Sequence, residues 1–174
     1  AAGCPFILKP AANTPIGALM IGEILAETDL PTGAFSILPC SNDDAAALVE
    51  DERIALLSFT GGPVGWDLKA RAGRKKVTLE LGGKSPNIVF PDADLDEAIG
   101  WVNFGIYFNH GQCCCAGSRI LVHESIYDQF LQKFSQRTNE NNVGDPMKAE
   151  TFQGPQVSQL QFDRIMGYIN DGKK

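Results

Sequence analysis

The chain has 174 residues, of which 44% are hydrophobic and 21% charged, a composition typical of globular proteins that excludes disorder as the main state. Its net charge is −6, and its longest run of positive charge is only Arg74–Lys76. A nucleic-acid-binding surface requires clustered Lys and Arg side chains, so we do not expect one. No apolar run approaches the roughly 18 residues of a membrane span, and the start at Ala1–Pro5 does not have the pattern of a signal peptide.

The first half of the chain alternates short apolar runs with segments of helical periodicity. This β-α-β-α rhythm predicts an α/β fold, in which open parallel sheets are covered by flanking helices. Strands are predicted over residues 6–8, 35–38 and 54–59, and helices over 15–27, 43–50 and 64–72.

The second half continues the alternation, with paired glycines at Gly82 and Gly83 that predict a hinge between two domains, 1–81 and 82–174. Asp94 is expected to cap a helix, with Glu97 three residues further on. Strands are predicted over 76–81, 87–90 and 120–123, and helices over 94–107, 124–137 and 158–170.

Three of the five cysteines are consecutive, in the segment Gly111–Gly117. Adjacent cysteines form poor disulfides, and no Cys/His spacing indicates a metal site, so we predict reduced thiols in the cytoplasm and no bound metal. Flanking glycines give the loop backbone freedom, so that a thiol and neighbouring N–H groups can face one pocket and stabilise an oxyanion. The alternative is that these cysteines are small buried hydrophobic residues.

Glu80 lies in an apolar strand that ends at two glycines. Burial of a carboxylate raises its pKa and suits it to act as a general base. The alternative is a glutamate at a strand end that faces solvent.

The segment Phe59–Gly65 is a third candidate, at a predicted strand-to-helix junction. Such turns direct backbone N–H groups towards an anion. The G-x-G-x-x-G pattern is absent, so an ordinary strand-to-helix turn is the alternative.

Four motifs together resemble the aldehyde dehydrogenase superfamily. Glu80–Ser85 and Gly111–Cys114 resemble its two active-site signatures, in the family's order. Phe59–Gly61 resembles the cofactor turn, and Lys9–Pro15 resembles the strand end that holds the adenosine ribose. The resemblance covers nearly the whole chain and implies a Rossmann-like cofactor portion joined to part of an α/β catalytic domain.

The resemblance also implies a role for each matching residue. It makes Cys114 the nucleophile and Glu80 the general base, while Cys113 and Cys115 have no assigned role. The cofactor, NAD or NADP, would be bound by Lys9, Gly61, Gly62, Gly65 and the Leu81 backbone.

The implied reaction is the oxidation of an aldehyde to a carboxylic acid through a thiohemiacetal and a thioester on Cys114, with hydride transfer to the cofactor. Family members are several hundred residues long. We therefore expect the oxyanion-hole asparagine upstream of Ala1 and the glutamate that binds the nicotinamide ribose downstream of Lys174. The chain is then a central fragment, inactive alone, of a protein that forms a homo-oligomer.

Three positions depart from the family pattern. The cofactor turn is one residue short, and Gly62 stands where serine is common. Ala12 stands where NAD-preferring members often carry glutamate, which leaves NADP use open. His110 stands where an uncharged residue is usual. One interpretation is that it perturbs the thiol, and the one we favour is that it lies on the solvent side or in the substrate channel.

Three other interpretations remain open. Residues up to Val77 resemble one subfamily and those from Glu80 another, which would fit a chimeric gene. A cysteine hydrolase would pair Cys114 with His110 or His123. A non-catalytic relative would fit the altered cofactor turn.

Overall fold

Six strands and six α-helices alternate along residues 2–174, the part of the chain that the computed structural model describes. Each predicted element is present within a few residues of its expected position, and the helix predicted from residue 124 opens with a 3-10 turn, Glu124–Ile126. The bounds are β1 Phe6–Leu8, α1 Ile16–Ala26, β2 Phe35–Ile37, α2 Asn42–Glu50, β3 Leu56–Thr60, α3 Val64–Arg71, β4 Lys76–Glu80, β5 Pro86–Val89, α4 Leu95–Tyr107, β6 Arg119–Val122, α5 Tyr127–Asn139 and α6 Gln159–Gly172.

The strands form three two-stranded sheets, in which β1 pairs with β2, β3 with β4, and β5 with β6. The first and third pairs are parallel, with Phe6 opposite Phe35 and Pro86 opposite Arg119. The predicted α/β class, with parallel sheets and helices between the strands, is therefore confirmed.

The chain divides into two compact units, Ala1–Leu79 and Glu80–Lys174. The division lies two residues before the predicted boundary. That these units are parts of a cofactor domain and a catalytic domain stays a prediction.

The second unit has a hydrophobic core built from β5, α4 and α5. Val89, Ile99, Val102 and Phe130 are buried against one another, and Ile99 and Val102 are three residues apart on one face of α4. Burying each such side chain contributes about 1.5–3 kcal/mol. The core fixes α4, whose C-terminal end leads into the cysteine-containing segment.

Helix α4 begins as predicted. The Asp94 carboxylate accepts a hydrogen bond of 3.0 Å from the Glu97 backbone N–H, which caps the first turn. No helix within residues 2–174 has both the length and the apolar character of a membrane-spanning helix.

Candidate active site

The segment that joins α4 to β6 begins with a left-handed turn. Asn109, His110 and Gly111 have φ angles of 51°, 62° and 74°. Glycine alone adopts this conformation without strain, and a Cβ added at Gly111 would lie 3.3 Å from the Ile106 carbonyl oxygen. The turn ends where the Gln112 N–H donates to the Asn109 carbonyl at 2.9 Å, so the next residues are the three cysteines.

The three cysteines occupy different surroundings. Cys113 is half-buried, with its Sγ 3.5 Å from the Sγ of Cys115, whereas Cys114 is exposed. The hydrogen bond between Cys115 and Cys113, with smaller contributions from the charges of Cys113 and Cys114, raises the pKa of Cys115. Within the described residues the Cys114 sulfur makes no hydrogen bond, and all five cysteines are free thiols.

The backbone that follows Glu80 packs against the cysteine loop. A Cβ added at Gly83 would lie 2.9 Å from the Cys114 carbonyl oxygen, so only glycine permits this approach. The two segments then run together, since the Asn87 side-chain amide donates to the Gly117 carbonyl at 3.0 Å. The fold thus brings Gly83, three residues after Glu80, to the loop that carries Cys114.

Glu80 itself is exposed, so the burial predicted for its carboxylate is wrong for this chain. The reason is the alternation of the strand. Lys76, Thr78 and Glu80 share the exposed face of β4, while Val77 and Leu79 lie half-buried on the other face. Leu81, the next residue, is half-buried.

Lys9 directly follows β1 and is half-buried. Its Nζ donates a hydrogen bond of 2.7 Å to the side-chain oxygen of Asn42, the first residue of α2. An ammonium group has three donors, so two remain for hydroxyl groups of a ligand.

The segment predicted as a strand-to-helix turn has that structure, because β3 ends at Thr60 and α3 begins at Val64. A Cβ at Gly61 would lie 2.6 Å from the Phe59 ring, whereas a Cβ at Gly62 would meet no atom within 4 Å. Gly65 is buried, and its N–H donates to the Gly62 carbonyl at 3.0 Å.

Each histidine has one ring nitrogen that accepts a backbone hydrogen bond, and within the described residues neither histidine is hydrogen-bonded to a cysteine sulfur. His110 is half-buried, and its Nε2 accepts a hydrogen bond of 3.1 Å from the Gly154 N–H. Its position on the solvent side or in the substrate channel stays a prediction. His123 Nδ1 accepts from the Ser125 N–H at 3.2 Å. These contacts argue against a Cys–His hydrolase.

Sequence reasoning missed two residues that shape the site, Asn87 and Gly154, and interpreted Gly117 only as a source of loop freedom. A Cβ on Gly117 would lie 2.1 Å from the Asn87 amide nitrogen, and Gly154 contacts His110 across 44 residues of sequence. Only Asn87 gave a signal, as a polar residue in a predicted strand. Across residues 2–174, no group of three or more His, Cys, Asp or Glu side chains is arranged to hold a metal ion.

Known proteins match the chain over its whole length. The aldehyde dehydrogenase family model matches residues 1–174. An aldehyde dehydrogenase of Alternaria alternata is 57% identical across 100% of the chain, and one of Emericella nidulans is 54% identical, also across 100%. A human mitochondrial aldehyde dehydrogenase is 44% identical. The chain spans 36% of the length of each fungal relative and 35% of the human one.

Solved structures agree with these matches. Aldehyde dehydrogenase 21 of Physcomitrella patens, in complex with the reaction product succinate, superimposes with a TM-score of 0.91 at 45% identity, over 97% of this chain and 36% of that one. An NAD-dependent aldehyde dehydrogenase of Sinorhizobium meliloti gives a TM-score of 0.95 at 36% identity, over 98% and 35%. The chain therefore belongs to the aldehyde dehydrogenase family.

Proposed function

We propose that this chain contributes the nucleophile and the general base to an enzyme that oxidises an aldehyde to a carboxylic acid with NAD or NADP. The observation that supports this most directly is the approach of Gly83, three residues after Glu80, to the Cys114 carbonyl. A thiol and a carboxylate on adjoining segments are the two groups that an acyl-enzyme route requires.

Cys114 is our candidate nucleophile because its environment differs from that of its neighbours. It is the exposed thiol whose sulfur makes no hydrogen bond in the described structure, whereas Cys113 and Cys115 face each other. The raised pKa of Cys115 also lowers the fraction of its reactive thiolate.

The reaction then proceeds in two stages on Cys114. The thiolate attacks the aldehyde carbon and forms the C–S bond, while a loop N–H group stabilises the negative oxygen. A bound nicotinamide supplies the acceptor for the hydride that leaves this carbon. Glu80 next takes a proton from water, whose oxygen attacks the thioester, and the C–S bond breaks to release the carboxylic acid and the Cys114 thiolate.

The exposure of Glu80 is compatible with its proposed role. A base that activates water must have access to water at the hydrolysis step, and the end of an exposed strand face provides that access. Hydrolysis must wait until the hydride has left, so Glu80 acts only in the second stage.

The first unit offers groups that fit a dinucleotide. Gly61 and Gly62 have no side chains, and the open space at Gly62 allows a diphosphate to approach the backbone of the turn. Lys9 has donors left for ribose hydroxyls. In the second unit, the Leu81 backbone would contact the nicotinamide. Ala12 is exposed and carries no carboxylate to repel a 2′-phosphate, which supports NADP as well as NAD.

The test is a hybrid enzyme in which residues 1–174 replace the matching region of the Alternaria alternata relative. Aldehyde-dependent formation of NAD(P)H measures its turnover. We expect turnover that falls at least about 1,000-fold with Cys114→Ala, because the covalent route is lost, and that persists with the matched control Cys115→Ala.

A folded hybrid that binds no cofactor would contradict the proposal and favour a non-catalytic relative with an altered turn. Equal losses from Cys114→Ala and Cys115→Ala would contradict the choice of nucleophile. Four statements stay predictions: that the partner is an aldehyde substrate, that the full-length protein forms a homo-oligomer, that it is cytoplasmic, and that the gene is chimeric.

A further inference from the structure

A strained turn lies immediately before the cysteines. Asn109 and His110 are the only non-glycine residues with positive φ among those the structure describes, and they are consecutive. Each such residue costs about 1–2 kcal/mol, so the turn persists only if surrounding contacts hold it. One local contact is the hydrogen bond of 3.1 Å from the Asn109 side-chain amide to the Gln112 carbonyl.

The other contacts come from the segment of residues 153–156, which we call the brace. Gln153 Nε2 donates to the Tyr107 carbonyl at 2.8 Å, on one side of the turn. Gln112 Nε2 donates to Gln156 Oε1 at 2.9 Å, on the other side. In the middle, the Gly154 N–H donates to His110 Nε2 at 3.1 Å. The brace thus forms three hydrogen bonds with the turn and the residues beside it, at Tyr107, His110 and Gln112.

The brace is itself anchored to the helix that precedes the turn. The Phe152 and Gln153 N–H groups both donate to the Asn142 carbonyl, at 2.9 and 3.0 Å. The neighbouring Asn141 exchanges two amide hydrogen bonds, of 3.0 and 3.1 Å, with Asn103 of α4, which is 1% exposed. Turn and brace are therefore both attached to α4, the turn through the chain and the brace through Asn141 and Asn142.

His110 occupies the central position of this arrangement. An imidazole accepts a hydrogen bond only at an unprotonated nitrogen, so Nε2 carries no proton in this contact. A Cβ on Gly154 would lie 3.2 Å from the Cβ of Pro146, which is a tight contact, and 3.6 Å from His110 Nε2, which is an ordinary one.

We infer that His110 is a positioning residue for the nucleophile, and that it acts by accepting the Gly154 N–H and so fixing the turn from which Cys114 is presented. The inference rests on the proposed function, because it takes Cys114 as the nucleophile. It adds a part of the chain, the brace, that the catalytic motifs do not include.

The experiment compares His110→Phe with His110→Gln in the hybrid enzyme. Both substitutions bear the strain of positive φ, but only glutamine has an acceptor near the position of Nε2. We expect His110→Phe to lower kcat about 10- to 100-fold, since a displacement of about 1 Å can have that effect, while the KM for the cofactor stays unchanged. His110→Gln is expected to recover most of this loss.

Two further measurements do not depend on turnover. In a Cys113→Ala, Cys115→Ala background, His110→Phe should slow alkylation of Cys114 by iodoacetamide at least about threefold, because the turn no longer holds the Cys114 thiol in its exposed position. Amide hydrogens of residues 152–154 should exchange faster in His110→Phe than in His110→Gln.

The outcomes separate the two proposals. If the wild-type hybrid is inactive but His110→Phe still changes alkylation and hydrogen exchange, the proposed function is overturned. The inference that His110 and the brace fix the turn is then supported. An active hybrid in which His110→Phe behaves like wild type, or His110→Gln is as impaired as His110→Phe, overturns the inference.

Discussion

The cysteine loop and the glycine turn of residues 61–65 are held in different ways. The cysteine loop lies in a unit with a clustered core, and segments far away in sequence fix it through Gly83, Asn87 and the brace. The glycine turn lies in a unit whose described residues include only two buried hydrophobic side chains, Val49 and Ala72. Hydrogen bonds between near neighbours close it.

This difference indicates how each loop serves its ligand. A nucleophile must be held within a fraction of an ångström of its attack position, so its loop requires support from several directions. A turn that binds a diphosphate needs exposed backbone without side chains, and Gly62 provides this with little surrounding structure. Substitutions around the cysteine loop should therefore change stability and turnover more than substitutions around the glycine turn.

The largest effect is expected in the core of the second unit. Phe130→Ala should lower the free energy of unfolding by about 3–5 kcal/mol, because it leaves a cavity beside Ile99 and Val102. Val102→Ala and Val49→Ala form a matched pair, at 5% and 7% exposure. Val102→Ala should be the more destabilising of the two, because Val49 lies outside the cluster and its site can relax.

Each unit has one tryptophan, Trp66 in the first and Trp101 in the second, whose fluorescence follows the unfolding of that unit. Urea unfolding of the chain, followed by fluorescence in Trp66→Phe and Trp101→Phe backgrounds, measures the units one at a time. If Val102→Ala and Val49→Ala lowered the free energy of unfolding by equal amounts, the two units would not differ in packing as described.

A smaller effect is expected at the contact between Gly83 and Cys114. Gly83→Ala should lower the kcat of the hybrid about 10- to 100-fold, since its Cβ would lie 2.9 Å from the Cys114 carbonyl oxygen and displace the loop. Gly82→Ala is the matched control, because a Cβ there meets nothing within 4 Å. Similar kinetics for the two variants would remove the main support for a shared site.

The smallest effect concerns pH. The pKa of Cys115 is raised chiefly by its hydrogen bond with Cys113, so below that pKa less of Cys115 is thiolate than in an unperturbed thiol. Cys113→Ala removes the bond, and alkylation of Cys115 at pH 8 should become faster. Peptide mass spectrometry over time measures the rate, and an unchanged rate would show that the two sulfurs do not interact in solution.

Local patterns predicted the elements of this fold well, because helical and strand periodicities depend on residues close in sequence. The capping of α4 by Asp94 is one example. The division into three sheets did not follow from periodicity, since the pairing of strands depends on contacts between distant segments. Glu80 was misjudged because neighbouring apolar residues suggested burial, while the alternation along β4 puts it on the exposed face.

The candidate site shows the same limit. The glycines around the cysteines were visible as a flexible loop, but the partner of His110 was not, because Gly154 lies 44 residues away in a polar stretch without periodicity. The resemblance to the family's motifs implied which groups react. The contacts that hold those groups required the three-dimensional structure.

The most direct test of the account is to trap the acyl intermediate. In the Glu80→Gln hybrid, hydrolysis should stall, so incubation with an aldehyde and NAD(P)+ should leave the acyl group as a thioester on Cys114, detectable by mass spectrometry of the peptide that contains it. The account predicts this adduct on Cys114, with none in the Cys114→Ala, Glu80→Gln double variant. An adduct on Cys113 or Cys115, or full turnover without Glu80, would contradict it.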